Sequence, residues 1–225
     1  MRYSELSTSA KATARDDVRA VLFSDASEWW LLDAYDSVID RVREVTGINV
    51  VSGNIFFSLG FVQSDYARID YGEDAGITPQ LLAAAGVDVD TIFSKRFAPI
   101  VKEYSLNADD TRDLVDANVL GQGISSSGDR GGYSAYSVQA YSYVDPELVA
   151  DCDYPEAAKA ELTDALDETL AEVDEAVCDV LHDLEKDAYW IIRDDYMSKS
   201  SDEEVEQFIL DEEDEHNFDE DGHLV

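Results

Sequence analysis

Residues 155–198 read PEAAKAELTDALDETLAEVDEAVCDVLHDLEKDAYWIIRDDYMS. Apolar residues recur in this stretch at steps of three and four, the spacing that puts side chains on one face of an α-helix. The stripe consists of Leu162, Leu166, Leu170, Val173, Val177, Val180, Leu184, Ala188 and Ile191. The pattern predicts a single amphipathic helix of about 40 residues, on the order of 60 Å long.

The other faces of the predicted helix are acidic. Seven acids sit three or four residues apart and therefore line up along one side: Glu161, Asp164, Glu168, Glu172, Glu175, Asp179 and Asp183. Like charges at these steps destabilise a helix by a few tenths of a kcal/mol per pair. We expect burial of the apolar stripe, or a basic partner, to offset this repulsion.

The charge of the whole chain is strongly negative and unevenly placed. The 225 residues carry 51 acids and 16 lysines and arginines, which gives a net charge of −35. From residue 145 onward there are 30 acids against four bases. Such a field repels nucleic acids and acidic membranes and attracts basic surfaces. The uneven charge sets a boundary between residues 144 and 145. We predict an α+β domain over 1–144 and a strongly acidic helical region over 145–225, packed together as one globular unit.

The totals are those of a globular protein. Apolar residues make up 45% of the chain, so a sizeable core is expected despite the charge. No apolar run is long enough to span a membrane, and the first residues lack the apolar segment of a signal peptide. Cys152 and Cys178 are too few for a disulfide framework, so both are predicted to be free thiols. We therefore expect a cytoplasmic protein.

Periodicity and turn signals predict the remaining elements. Helices are expected over 7–23 with Ser7 as its cap, and over 27–45, 78–86, 88–104 and 202–213. Strands are expected over 48–63, 66–72 and 133–144, with a Gly- and Ser-rich loop over 121–132. The fold class is therefore predicted to be α+β: a small antiparallel sheet with several helices, including the long acidic amphipathic helix.

Metal chemistry has weak support in the sequence. Asn217, Asp219 and Asp221 match the first ligand positions of a calcium loop, but the chain ends at Val225 before the bidentate Glu that this loop requires. Three histidines, His182, His216 and His223, show no helical spacing typical of a zinc or iron site. We predict no metal and no other cofactor.

Catalysis has no recognisable motif. The glycine-rich stretch lacks the Gly-Lys-Ser/Thr ending of a phosphate loop, and no Gly-x-Ser-x-Gly occurs. Asp65 and Asp70 are the first choices for an acid/base pair if a site exists. Trp29, Trp30 and Trp190 could be partner hot spots, although core packing is favoured because Trp30 and Trp190 lie on or beside apolar stripes. The expectation is that the protein is not an enzyme.

Several stretches resemble a family of small acidic proteins from tailed phages and their hosts, which generally lacks an assigned biochemical role. The stretches are YSELSTSAKATARDD, SEWW, NIFFSLGFVQSDYARID and SSDEEVEQFILDEEDEHNFDEDG, and they occur in the family's order. The central stretch departs from the family's pattern, since Leu59 intrudes before Gly60 and Ser64 and Tyr66 replace usual glycines. The resemblance implies a phage-encoded protein and brings no catalytic residues with it.

Two functions fit these observations. The first is a phage-encoded inhibitor that imitates nucleic-acid charge and blocks a basic, nucleic-acid-binding host defence complex such as a restriction, CRISPR or other nuclease system. Its binding residues would be the seven helix acids together with Asp211, Glu212, Glu213, Asp214, Asp219 and Asp221. A homodimer is plausible because the apolar stripe is long. The alternative is a salt-adapted protein whose acids serve solvation, with a different binding function or an unrecognised catalytic one.

Overall fold

The structure, a computed structural model, describes residues 1–23, 31–59, 66–72, 75–121, 123–126, 138–141 and 146–225. The helices are α1 (Thr8–Leu22), α2 (Leu32–Thr46), α3 (Pro79–Ala84), α4 (Val89–Ile92), α5 (Ala98–Tyr104), α6 (Ala108–Leu120), α7 (Pro146–Ala150), α8 (Glu156–Lys199) and α9 (Asp202–Asp211). The strands are β1 (Ile55–Ser58), β2 (Tyr66–Ile69), β3 (Gly123–Ser126) and β4 (Val138–Tyr141). The predicted α+β class is confirmed, with helix dominating.

The strands form two separate antiparallel pairs. In the first, β1 pairs with β2 so that Ile55 faces Ile69, and in the second, β3 pairs with β4 so that Gly123 faces Tyr141. The sequence left the pairing of the N-terminal strands open. The expectation of a loop over 121–132 is wrong for β3, because Ile124 and the serines that follow it pair with β4. Most of the remaining loop residues lie outside the described part of the chain.

The long helix is confirmed, but its buried stripe departs from the predicted one. Val180 and Ile191 are only half-buried, and Leu181 and Ile192 take their places in the core. The reason is geometric: at 3.6 residues per turn, steps of four from Val177 and from Ala188 keep the stripe aligned better than the steps of three that were predicted. No helix among the described residues is both long enough and apolar enough to cross a bilayer.

Packing divides the chain into two compact units, Met1–Ser37 with Trp190–Val225, and Val38–Tyr189. The helices α2 and α8 contribute residues to both. These units are defined by packing. The predicted division between residues 144 and 145 was drawn from the distribution of charge, and it stays a prediction.

The first unit is built by α1 and α9 together with the two chain ends. Ser7 caps α1 by accepting a hydrogen bond from Ala10 N at 3.2 Å, as expected, and Ser201 caps α9 in the same way through Glu204 N. The core consists of Tyr3, Leu6, Ala10, Ala14, Val18, Val205, Ile209 and Phe218. The C-terminal residues are therefore anchored to the fold by the aromatic ring of Phe218, which meets the ring of Tyr3 edge-on.

The second unit is organised around the first 34 residues of α8. Hydrogen bonds reach it from Ile69 N of β2, from Ala140 N of β4 and from the Tyr104 hydroxyl of α5. Another comes from Arg96, in the helical segment before α5. That segment, Phe93–Phe97, is a π-helical turn. It ends two residues before Pro99, whose missing N–H cannot bond the preceding turn.

Candidate partner interface

The seven acids predicted on the long helix are all exposed. At 100° per residue they fall within about 100° of the circumference of α8, opposite the buried stripe. From Glu161 to Asp183 they extend over about 33 Å of helix axis, at 1.5 Å per residue. We call these seven residues the acidic row. The apolar stripe is buried by other residues of the same chain. Folding of a single chain therefore covers one side of α8 and leaves the acidic row facing solvent.

Three members of the acidic row have local partners. Glu172 forms an ion pair with Arg96, Asp183 pairs with Lys186 at 2.8 Å, and Glu161 accepts a hydrogen bond from the Tyr104 hydroxyl at 2.7 Å. The other four, Asp164, Glu168, Glu175 and Asp179, have no ion pair with any residue in the described ranges. These four carboxylates are the ones available to an external cation.

The six predicted C-terminal acids belong to the other unit, and most of them serve local structure. Asp214 pairs with Arg2 at 2.9 Å. Hydrogen bonds from the Ser4 side chain and from Ser4 N, the latter at 2.9 Å, lower the pKa of the Glu213 carboxyl. Asp211 accepts from Gln207, and Glu212 lies 4.0 Å from His216. Only Glu213 is half-buried; the other five are exposed.

The acids that were compared with a calcium loop, for which no metal was predicted, lie in a turn. Asp219 Oδ1 accepts backbone hydrogen bonds from Asp221 N at 3.0 Å and His223 N at 2.9 Å, which lowers the pKa of Asp219. Gly222 closes the turn at φ 93° against α1. No group of three or more metal-ligating side chains occurs within the part of the chain that the structure describes. Both cysteines are free thiols, as expected.

The core expectation for Trp190 is wrong, because 51% of its surface is exposed and its ring carries the Arg193 guanidinium 4.8 Å away. Trp29, Trp30 and Asp65 lie outside the described residues. Asp70 accepts a hydrogen bond from Gly72 N at 3.0 Å and thereby supports a turn after β2.

Glu185 is a buried acid that sequence reasoning did not single out. It is only 1% exposed, and its Oε1 accepts a hydrogen bond from Ile69 N at 3.2 Å. Its Oε2 and the nearby hydroxyl of Tyr71 are buried without a hydrogen-bond partner among the described atoms. Burial raises the pKa of Glu185 to about 7, against the opposing effects of the Ile69 hydrogen bond and the Arg68 charge.

The observed buried stripe of α8 explains this burial. Glu185 follows Leu181 by four residues and precedes Ala188 by three, so it lies on the buried face of α8. The same environment raises the pKa of Tyr71, first through burial and then through the negative charge of Glu185. The pair forms a buried acidic spot under the β1–β2 hairpin, distinct from the exposed acidic row.

Comparison with known protein families, with characterised proteins and with solved structures found no match to this chain.

Proposed function

We propose that this protein is an acidic, phage-encoded inhibitor that imitates the charge of a nucleic acid and occupies a basic nucleic-acid-binding site of a host defence complex, such as a restriction, CRISPR or other nuclease system. The observation that supports the proposal is the acidic row, four of whose carboxylates form no ion pair with a residue that the structure describes. The protein acts by binding rather than by catalysis, in the host cytoplasm. It does not bind nucleic acid itself, because its own charge repels phosphates.

The spacing of the acidic row suits such a role. Seven acids over about 33 Å give one charge per about 5 Å, against one per roughly 1.7 Å for duplex DNA and 3.4 Å for one strand of it. The row alone is therefore about threefold sparser than a duplex and within a factor of about two of a single strand. Its charges would speed association with a basic groove and make binding depend strongly on salt.

The alternative, salt adaptation, draws on exposed acids elsewhere, such as Asp109, Asp110 and Asp113 of α6. On that reading the acidic row is one solvated face among several. A protein that depends on high salt for its fold should lose cooperative unfolding when the salt is removed, because its unscreened charges repel one another. Cooperative thermal unfolding in dilute buffer would count against obligate salt adaptation.

A competition assay tests the proposal. Labelled duplex or guide RNA is bound to a purified restriction enzyme or CRISPR effector, the protein is titrated in, and release is followed by fluorescence anisotropy at several salt concentrations. We expect release by the wild-type protein, fading as salt rises. If no member of a panel of such complexes releases its nucleic acid, the proposal is wrong.

Two matched variants locate the surface. The row variant carries Asp164→Asn, Glu168→Gln, Glu175→Gln and Asp179→Asn. The control variant removes the same number of exposed acids away from the row, chosen because they form no ion pair within the described ranges, with Asp113→Asn, Glu203→Gln, Glu215→Gln and Glu220→Gln. We expect the row variant to compete about tenfold or more less well than the control, because the control retains the row. Equal loss in both would mean that only net charge matters.

The proposal does not require a second copy of the chain. The homodimer was predicted because a second copy could bury the long apolar stripe. In the structure that stripe is buried within a single chain. The homodimer stays a prediction, which sedimentation would test directly.

A further inference from the structure

A cleft of about 510 Å³ lies where the turn between α5 and α6 meets the segment that leads into α8. Its volume is within the range of small-molecule sites. Two carboxylates, Asp110 and Asp153, two tyrosines, Tyr104 and Tyr154, and the thiol of Cys152 are among its lining groups. None of its lining residues is basic. The cleft therefore combines negative charge with aromatic surface, a pairing that favours organic cations.

Both tyrosine hydroxyls already have hydrogen-bond partners within the chain. The Tyr104 hydroxyl donates to Glu161 at 2.7 Å, and the Tyr154 hydroxyl lies 3.2 Å from Thr111 Oγ1. What the two rings retain for a ligand is their carbon surface, on which a guanidinium stacks more readily than an ammonium does. The carboxylates of Asp110 and Asp153 are exposed and form no ion pair within the described ranges, so they can receive its N–H groups.

The hydrogen bond between Tyr104 and Glu161 links the cleft to the acidic row, because Glu161 is the first member of that row. A basic partner lying along α8 would therefore have a side chain within reach of the cleft. We propose that the cleft is a socket for an arginine side chain of the partner. This inference rests on the proposed function for the identity of the occupant, but the socket itself can be tested with no partner present.

Cys152 provides a local reporter. Cys152 is a lining residue of the cleft, and its sulfur donates to the carbonyl of Leu148 at 3.2 Å. Cys178 lies on α8 and is not one of the lining residues, and its sulfur accepts from Ala140 N. The probe is butylguanidinium, and the matched neutral molecule is butylurea, which has a similar shape and no charge. Alkylation of each cysteine by iodoacetamide is followed by mass spectrometry at constant ionic strength, and each rate is divided by the rate without additive.

We expect butylguanidinium to slow alkylation of Cys152 several-fold and saturably, with Cys178 unaffected and butylurea inactive. Asp110→Asn with Asp153→Asn should abolish the protection, because both cleft charges are gone, whereas Asp164→Asn with Glu168→Gln should preserve it. Equal protection by butylurea, equal protection of Cys178, or protection that survives in the Asp110/Asp153 variant would overturn the socket. So would the absence of protection at millimolar probe.

The two proposals fail in different ways. If butylguanidinium protects Cys152 but no nuclease complex responds in the competition assay, the socket stands as a cation site and the proposed function is wrong. If a complex responds but the Asp110/Asp153 variant competes as well as the wild type does, the function stands and the socket does not serve it.

Discussion

Replacing Glu185 by glutamine should stabilise the protein at neutral and alkaline pH. The amide keeps the oxygen that accepts from Ile69 N and removes the ionisation of a side chain that is 1% exposed. The change is nearly isosteric, so packing under the β1–β2 hairpin should be preserved.

The magnitude follows from the shift in pKa. The pKa of Glu185 is raised from 4.5 to about 7, so the folded state holds its proton more tightly than the unfolded chain does. The stabilisation that this proton provides is complete below about pH 4.5 and is lost as pH rises to about 7. At 1.36 kcal/mol per pKa unit, the ionised carboxylate costs about 3 kcal/mol above that window.

Urea unfolding at a series of pH values, in about 1 M salt to screen the other acids, measures the effect. The gain in unfolding free energy of Glu185→Gln over wild type should be near zero at pH 4.5 and rise to about 3 kcal/mol by pH 8. Glu175→Gln, an exposed change on the same helix, should show no such rise. A difference between Glu185→Gln and wild type that does not vary with pH would refute the argument that burial sets this pKa.

Three further predictions concern stability. The row variant should melt at a higher temperature than wild type in dilute buffer, because each like-charge pair removed should raise the free energy of unfolding by a few tenths of a kcal/mol. The gain should shrink in about 1 M salt. No gain in dilute buffer would mean that the acids of the row do not repel one another. Gly222→Ala should cost about 2–4 kcal/mol by chemical denaturation, because Gly222 has φ 93° and a methyl group there would overlap the Ala10 carbonyl. Gly86→Ala, at φ 69° with open space around it, should cost only about 1–2 kcal/mol; equal costs would contradict the packing of the C-terminal turn. Ser201→Ala should remove the α9 cap at a cost of about 1 kcal/mol, while Ser198→Ala leaves stability unchanged.

The elements with strong local signals were predictable from the sequence. The stripe of α8 and the Ser7 cap of α1 gave helices close to the expected bounds, and α3 and α9 lie within the expected ranges 78–86 and 202–213. The exposure of the acidic row followed as well, since burying one face of a helix fixes which residues lie opposite to it.

Features that depend on tertiary packing were not predictable. α6 was not among the predicted helices, because its buried face includes the polar residues Thr111 and Asn118, which weaken the apolar pattern. Glu185 was not singled out, because an acid on a buried face is rare and only the neighbours Ile69 and Tyr71 make it possible. Trp190 was expected in the core because it lies beside the stripe. Whether a position at the edge of a stripe is buried depends on which elements pack against the helix there.

The most direct test of the central claim is the salt dependence of binding to whichever nuclease complex responds in the competition assay. The dissociation constants of the wild type, the row variant and the control variant are measured across a series of salt concentrations. The account predicts that affinity falls steeply with salt for the wild type and the control, and that the slope is markedly shallower for the row variant, because four contacting charges are gone. Identical slopes for all three proteins would contradict the claim that the acidic row of α8 is the surface that the partner contacts.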